Sequence, residues 1–181
     1  VLWRPAIARP QVDQFVRQLA GQRIERVWRR GKYIILDLSS GDKLVIHLRM
    51  TGRLFLRDAS DAEDKFTRLV VHLDRGQELR FADSRKFGRL SILNPGEFRQ
   101  LSDSLGPEPF GKEFTLERFK EIVSHRGQRI KTVLLDQRYI VGLGNIYADE
   151  ALFEAGVHPA RRADSLTHEE IERLYSTIKQ V

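Results

Sequence analysis

Seven short apolar runs between Arg23 and Leu93 constrain the fold of this 181-residue chain more than any other feature. In the run RLVVHL, Leu69 and Val71 would lie on one face of a strand, and Val70 and His72 would lie on the other. This alternation is expected for a strand with one buried face and one wetter face. The pattern predicts an antiparallel β-sandwich or barrel, preceded by a helix over residues 12–20. The runs, separated by turn clusters such as SSGD and DRGQ, are RIERVW, KYIILDL, KLVIHL, RLFL, RLVVHL, ELRFA and RLSIL.

In the second half of the chain, the apolar residues recur with the period of an α-helix and no longer with that of a strand. The expected fold class is therefore α+β. A segment rich in Gly and Pro, NPGEFRQLSDSLGPEPFGK, is predicted to be a linker. We therefore expect a β-sandwich domain over residues 1–100, a linker over 101–113 and an all-helical domain over 114–181.

Four helices are expected in that second domain. One begins after Thr115 and runs to about His125, and the next covers roughly residues 129–137. A capping box formed by Thr167 and Glu170 opens the last helix. The third helix begins at Asn145 and ends near Gly156, and we expect it to bury Ile146, Ala148 or the neighbours of Asp149, Leu152 and Phe153.

The charge of the chain is concentrated in its first half. Residues 1–100 contain 20 Lys and Arg against 12 Asp and Glu, a net charge of +8, whereas residues 101–181 carry a net charge of −2. A basic half of this kind indicates a polyanion partner, most simply nucleic acid, although a solvated basic surface has the same composition.

Composition also restricts cofactors and location. The chain contains no cysteine, which excludes disulfides and thiolate metal sites, and its five histidines lack the spacing of metal ligands. We expect no metal within this chain. No apolar run approaches the roughly 18 residues of a membrane span and the first residues do not form a signal peptide, so we expect a cytoplasmic protein.

The turn VGLGN, at residues 141–145, is a potential phosphate-binding site. Gly142 and Gly144 allow positive φ angles, and Asn145 then places a side-chain amide beside the unpaired N–H groups at the start of a helix. The alternative is that Asn145 only caps the helix, since Asn is a favoured N-cap residue.

Five motifs in order resemble bacterial formamidopyrimidine-DNA glycosylases: RRGKYIILDL, IHLRMTGRL, LRFADSRKFGRL, LGPEP and VGLGNIYADEALFEAGVHP. The resemblance spans nearly the whole chain. It implies a β-sandwich followed by a helix-two-turns-helix domain, with double-stranded DNA containing oxidised bases held between them. It also implies a glycosylase and abasic-site lyase that flips oxidised purines, such as 8-oxoguanine and formamidopyrimidines, out of the duplex and cleaves by β-elimination. We expect a monomer, because no coiled-coil pattern appears in the sequence.

The resemblance assigns roles to seven residues. Lys32 matches the lysine that contacts phosphate and is associated with strand cleavage, and His47 and Asn145 match further phosphate contacts. Met50, Arg85 and Phe87 match the trio that fills the space left by the flipped nucleotide, while Arg126 aligns loosely with a basic DNA contact. Lys131 and Tyr147 are further residues that the resemblance places near DNA, with the alternative that Tyr147, on an amphipathic helix, packs in the core. Without it, Met50 and Phe87 read as core residues, and Lys32 and His47 as surface polar residues.

Two departures from the family pattern concern the ends of the chain. The family begins with Pro-Glu-Leu-Pro-Glu, whose terminal proline amine is the nucleophile, but this chain begins Val1-Leu2-Trp3. It also ends at Val181, before the family's zinc finger. We expect an excerpt of a longer enzyme that is inactive alone, with zinc bound in the missing segment. The alternatives are an endonuclease VIII-like glycosylase for oxidised pyrimidines and a DNA-binding fragment without catalysis.

Overall fold

Eight β-strands and six α-helices make up the fold, and a computed structural model describes all residues, 1–181. They divide into two units, Val1–Gln100 and Leu101–Val181. The strands are β1 Ile7–Arg9, β2 Ile24–Arg30, β3 Tyr33–Leu38, β4 Lys43–His47, β5 Gly52–Asp58, β6 Thr67–His72, β7 Gln77–Asp83 and β8 Arg89–Leu93. The helices are α1 Val12–Leu19, α2 Pro95–Asp103, α3 Leu116–Ser124, α4 Ile130–Leu135, α5 Asn145–Glu154 and α6 His168–Ile178.

The first unit is a sandwich of two sheets. One sheet has the strand order β1-β8-β4-β3-β2 and the other has the order β5-β7-β6. All pairs are antiparallel except β1 with β8, which is parallel. The seven predicted strands and helix α1 are confirmed. Strand β1 was not predicted, because three residues are too few to show an alternating pattern.

The core of the sandwich follows the two-residue period of its strands. Leu36 and Leu38 of β3 are buried together with Leu44 and Ile46 of β4, whereas the flanking residues of these strands face the other side of the sheet. Phe81, in the central strand of the smaller sheet, is fully buried in the same cluster. Phe15 of α1 adds one further aromatic ring to this core.

The second unit is helical and has its own core. Phe119 of α3, Val133 of α4 and Leu174 of α6 have no exposed surface. The predicted caps are confirmed: Thr115 accepts the N–H of Arg118 through its hydroxyl, and Thr167 forms the reciprocal capping box with Glu170. No helix is both long and apolar enough to span a membrane.

The buried face of α5 differs from the prediction. Ile146 and Phe153 were expected in the core, but 70% and 82% of their respective surfaces are exposed. The predicted burial of Ala148 and Leu152 is confirmed. Two further small residues, Ala151 and Ala155, are buried with them and allow close packing against α4 and α6. The short distance between these helices leaves room for alanine side chains and not for Ile146 or Phe153.

The segment interpreted as a linker also needs correction. Its first part forms α2, because Asn94 and Glu97 satisfy each other's backbone N–H groups in a reciprocal cap with donor–acceptor distances of 2.9 Å. Phe98 of this helix packs edge-on against Trp28 of β2, with ring centroids 5.6 Å apart. The Gly and Pro residues of the segment had suggested irregular structure, but Pro95 lies at the start of the helix, where proline is tolerated.

Two phenylalanines of the second unit provide a direct test of its core. Replacing the buried Phe119 by Ala is expected to lower the free energy of unfolding by about 3–5 kcal/mol, because it leaves a cavity. Phe153→Ala is the matched control and should change that free energy by less than about 0.5 kcal/mol. Urea unfolding followed by circular dichroism measures both, and equal losses would contradict this packing.

Candidate nucleic-acid interface

Three cationic or titratable side chains meet at one edge of the larger sheet. Lys32 lies in the turn between β2 and β3, and His47 is the last residue of β4. Antiparallel pairing places Tyr33 opposite His47, with their rings 4.8 Å apart, so Lys32 is held beside the histidine. Arg49 follows two residues later, and its N–H donates to Nδ1 of His47 at 3.0 Å.

The environment of His47 keeps its imidazole neutral. Burial, followed by the positive charges of Arg49 and Lys32, lowers the pKa of His47 to about 4. Because Nδ1 accepts the Arg49 N–H, the proton of the neutral ring lies on Nε2, which is then a donor. An oxygen anion would therefore meet a fixed N–H donor flanked by two positive charges.

Lys32 is only partly exposed. Burial and the nearby charge of Arg49 lower the pKa of Lys32 from its ordinary value. The charge of Arg49 acts in the same direction as burial. Such an environment favours binding of an anion, and it leaves a larger fraction of the amine unprotonated at a given pH than in an ordinary surface lysine.

The predicted trio lies on two neighbouring loops of the first unit. Met50 follows β4 and is 71% exposed, while Phe87, between β7 and β8, is 48% exposed. Arg85 contacts both, since its Nη1 lies 3.4 Å from the sulfur of Met50 and its guanidinium carbon 5.0 Å from the centre of the Phe87 ring. The three side chains therefore form one exposed cluster, and the alternative that Met50 and Phe87 are core residues is wrong.

The backbone of both loops adopts an uncommon conformation. Arg49 and Lys86, one in each loop, have φ angles of 56° and 61°, in the left-handed region that costs energy for residues other than glycine. The second loop ends at Gly88, where a Cβ atom would lie 2.4 Å from the ring of Phe81. A side chain at that position would push the loop away from the core.

The carboxylate of Asp83 connects the two loops, and sequence reasoning did not identify it. Its oxygens accept the hydroxyl of Thr51 at 2.5 Å and the N–H groups of Arg85 and Gly88 at 3.1 and 2.7 Å. Burial acts to raise the pKa of Asp83, but these hydrogen bonds outweigh it and hold that pKa below its usual value. Only its position at the end of the run ELRFAD, before SRKFG, offered a signal.

In the second unit, the glycine turn positions Asn145 at the start of α5. Gly142 has a φ of 96°, as expected, but Gly144 has a φ of −107°, so the expected positive angle there is wrong. Gly144 is the N-cap residue, and no side chain caps the helix. Asn145 is therefore not the cap, and its exposed amide lies in the first helical turn beside the backbone N–H groups.

Gln137 supports this turn and was not identified from the sequence. Its side-chain oxygen accepts the N–H of Gly142 at 2.9 Å, and its amide group donates to the carbonyls of Leu135 and Leu143. One side chain thus bridges the end of α4 and the residues before α5. The LGPEP motif reinforces the same region, where Val141 donates its N–H to the carbonyl of Pro107.

Lys131 and Tyr147 lie on the helices next to this turn. The ammonium of Lys131 pairs with Asp149 at 2.6 Å, and the Asn145 amide donates to the same carboxylate at 3.4 Å. Tyr147 is 52% exposed, so it does not pack in the core. Asp149 thus orients two potential phosphate contacts.

Arg126 is held differently from the other predicted DNA contacts. Its guanidinium carbon lies 3.8 Å from the centre of the Tyr139 ring, in a cavity of about 330 Å³ in the second unit. One guanidinium nitrogen donates to the carbonyl of Ile122, and Nε is buried without a hydrogen-bond partner. These contacts occupy Arg126 within its own unit.

No group of three or more His, Cys, Asp or Glu residues is arranged to hold a metal ion.

Comparison with known proteins gives the same division of the chain. Residues 1–90 match the model of the formamidopyrimidine-DNA glycosylase N-terminal domain, and residues 105–181 match the H2TH domain of the same enzymes. A solved structure of the Lactococcus lactis enzyme superposes with a TM-score of 0.91 and 30% identity, covering 98% of this chain and 68% of that one. This chain belongs to the formamidopyrimidine-DNA glycosylase family.

Other members of the family agree with this assignment. The formamidopyrimidine-DNA glycosylases of Herpetosiphon aurantiacus and Desulforamulus reducens are 43% and 47% identical over 99% of the chain. The chain spans about two thirds of their length, 66% in both cases. Solved L. lactis structures in this family contain DNA with an abasic site or with FAPY-dG. The fold class and the family expected from the sequence are thereby confirmed.

The lowered pKa of His47 predicts a pH dependence of stability. The unfolded chain takes up a proton near the ordinary pKa of 6.5, but the folded chain does so only near pH 4. The free energy of unfolding should therefore fall as the pH drops from about 6.5 to about 4. His47→Asn, which keeps an acceptor for the Arg49 N–H, should lose this component. Urea titrations of both proteins across that range measure it, and parallel pH profiles would contradict the assignment.

Proposed function

We propose that this chain is the DNA-gripping part of a bifunctional glycosylase and abasic-site lyase that removes oxidised purines from duplex DNA. The observation that carries the proposal is the exposed cluster of Met50, Arg85 and Phe87 on two loops anchored by one buried carboxylate. Family membership supports it, as does the DNA bound by the L. lactis relatives.

The basic edge of the sheet suits the sugar-phosphate backbone. Lys32 and Arg49 supply positive charge, and Nε2 of neutral His47 supplies a directed donor. In the second unit, Asn145 offers an amide at the start of α5, where the helix dipole also favours an anion. Contacts of this type hold the DNA without reading its sequence, which suits an enzyme that must search for rare lesions.

The exposed cluster suits the interior of the duplex. An enzyme that acts on a paired base must flip its nucleotide out, and other groups must then fill the vacated space. Met50 is flexible and apolar enough to enter the stack, and Phe87 can wedge between base pairs. Arg85 has several N–H donors for the base left unpaired, for which cytosine presents acceptors.

Lys32 has a second task in this proposal. Strand cleavage by β-elimination removes a proton from the sugar and breaks the bond to the 3′ phosphate, so a basic group beside the phosphate is required. The lowered pKa of Lys32 increases the fraction of free amine at a given pH, and the free amine is the form that can accept that proton. The same proposal includes a monomer located in the bacterial cytoplasm at the nucleoid, and a zinc site outside residues 1–181.

Replacing Arg85 by Ala tests the proposed lesion specificity. In the complete gene product, the change should lower kcat/KM for 8-oxoguanine opposite cytosine by about 10- to 100-fold, because the unpaired cytosine loses its donors. Cleavage of single-stranded abasic DNA should change less than about threefold. The control is Arg75→Ala, which removes a guanidinium exposed in the turn before β7.

Equal losses on both substrates would contradict this role of Arg85. A lesion panel separates the proposal from the endonuclease VIII-like alternative, for which oxidised pyrimidines would be the better substrates. Borohydride trapping of a covalent DNA adduct separates it from a binding fragment without catalysis, because only the enzyme forms an imine that borohydride reduces.

The proposed phosphate contact of Lys32 predicts a change in salt dependence. Lys32→Gln should weaken binding of this chain to undamaged duplex DNA and reduce the slope of log K against log salt by about one. Lys112→Gln, at an exposed turn of the second unit, is the control and should leave the slope unchanged. Fluorescence anisotropy over a series of salt concentrations measures both slopes, and identical slopes in the two variants would contradict the contact.

A further inference from the structure

The exposed cluster poses a physical problem that burial does not solve. Met50 is 71% exposed and Phe87 48% exposed, so burial of these two side chains does not by itself fix either loop in the orientation needed to enter a duplex. Both loops also contain a residue in the left-handed region, Arg49 in one and Lys86 in the other. Conformations of this kind persist only where surrounding contacts determine them.

Thr51 and Asp83 provide those contacts. The Thr51 hydroxyl donates to Oδ1 of Asp83 and also accepts the N–H of Arg85 at 3.3 Å. Thr51, in the loop of Met50, therefore contacts the loop that carries Arg85 and Phe87. Asp83 accepts the N–H of Gly88 through its other oxygen at 2.7 Å. Together, the hydroxyl and the carboxylate close a hydrogen-bonded bridge between the loop of Met50 and the loop of Arg85 and Phe87.

We propose that Thr51 and Asp83 are positioning residues that hold Met50, Arg85 and Phe87 as one rigid wedge for insertion into damaged DNA. This inference rests on the proposed function of that cluster. The bridge fixes the wedge before DNA arrives, so binding at a lesion does not have to order two loops. Its effect therefore concerns discrimination between damaged and intact duplex, not the general grip on phosphates.

The chemistry of the two residues fits this role. Asp83 is 1% exposed, and its side-chain oxygens accept from one hydroxyl and from two backbone N–H groups, those of Arg85 and Gly88. A carboxylate accepts all of them, whereas an amide of the same shape would turn an NH₂ group toward one. Thr51 must donate and accept at once, which serine reproduces and valine, its isostere, does not.

The test uses this chain and two duplexes, one intact and one containing a tetrahydrofuran abasic analogue flanked by 2-aminopurine. Anisotropy gives the preference for the damaged duplex, and 2-aminopurine fluorescence reports unstacking when the wedge enters. Thr51→Val should lower that preference about tenfold and reduce the fluorescence gain. Affinity for intact duplex should stay within about twofold. Thr51→Ser should restore both properties.

Thr67→Val is the matched control. It removes another partly buried hydroxyl of the same unit, one that donates to the carbonyl of Asp64 and takes no part in the bridge. Its preference for the damaged duplex should equal that of the unchanged chain. Asp83→Asn is the second variant of the bridge, and every protein is measured below its unfolding temperature, determined by circular dichroism.

Two outcomes would overturn the inference in distinguishable ways. If Met50→Ala loses the preference but Thr51→Val and Asp83→Asn behave like Thr67→Val, the bridge does not position the wedge, and the proposed function stands. If Met50→Ala and Phe87→Ala themselves keep the preference and the fluorescence gain, the cluster is not a wedge. The proposed function of the cluster then fails together with this inference.

Discussion

The hydrogen bonds that converge on Asp83 connect the core of the sandwich to its candidate site. Asp83 ends β7, the central strand of the smaller sheet, two residues after the fully buried Phe81. The ring of Phe81 leaves no room for a side chain at Gly88, and the Gly88 N–H in turn binds Asp83. Core packing thereby fixes the loop that carries Arg85. Asp83 thereby connects the exposed cluster to a fully buried part of the unit.

The electrostatics of the basic edge oppose stability and favour binding. Lys32, His47 and Arg49 are close enough that the charges of the lysine and the arginine lower the pKa of the histidine, so the folded chain resists a third positive charge. Without an anion, the remaining like charges destabilise this edge. A phosphate reverses the sign of the interaction with each of them. The arrangement is costly in the free protein, and an anion bound at this edge would offset that cost.

The fold could be predicted from the sequence wherever local patterns decide it. The strands follow the two-residue period, and the Thr115 and Thr167 caps depend on residues three positions apart. Prediction was wrong at Ile146 and Phe153, because the buried face of α5 depends on how closely other helices approach. The positions of the site residues followed from a family resemblance. Their supports, Asp83 and Gln137, bind backbone N–H groups in turns, and such contacts leave no periodic pattern.

The glycine turn before α5 shows how geometry separates two interpretations that the sequence left open. A capping asparagine precedes the first helical turn and uses its side-chain oxygen on a backbone N–H. Asn145 instead lies within that turn, Gly144 is the cap residue, and Gln137 holds the turn from behind through Gly142. The Asn145 amide is left at the surface with only a long contact to Asp149. Because Gly144 is the cap residue and Gln137 supports the turn, the capping interpretation of Asn145 is wrong, and the phosphate contact of its amide stays a prediction.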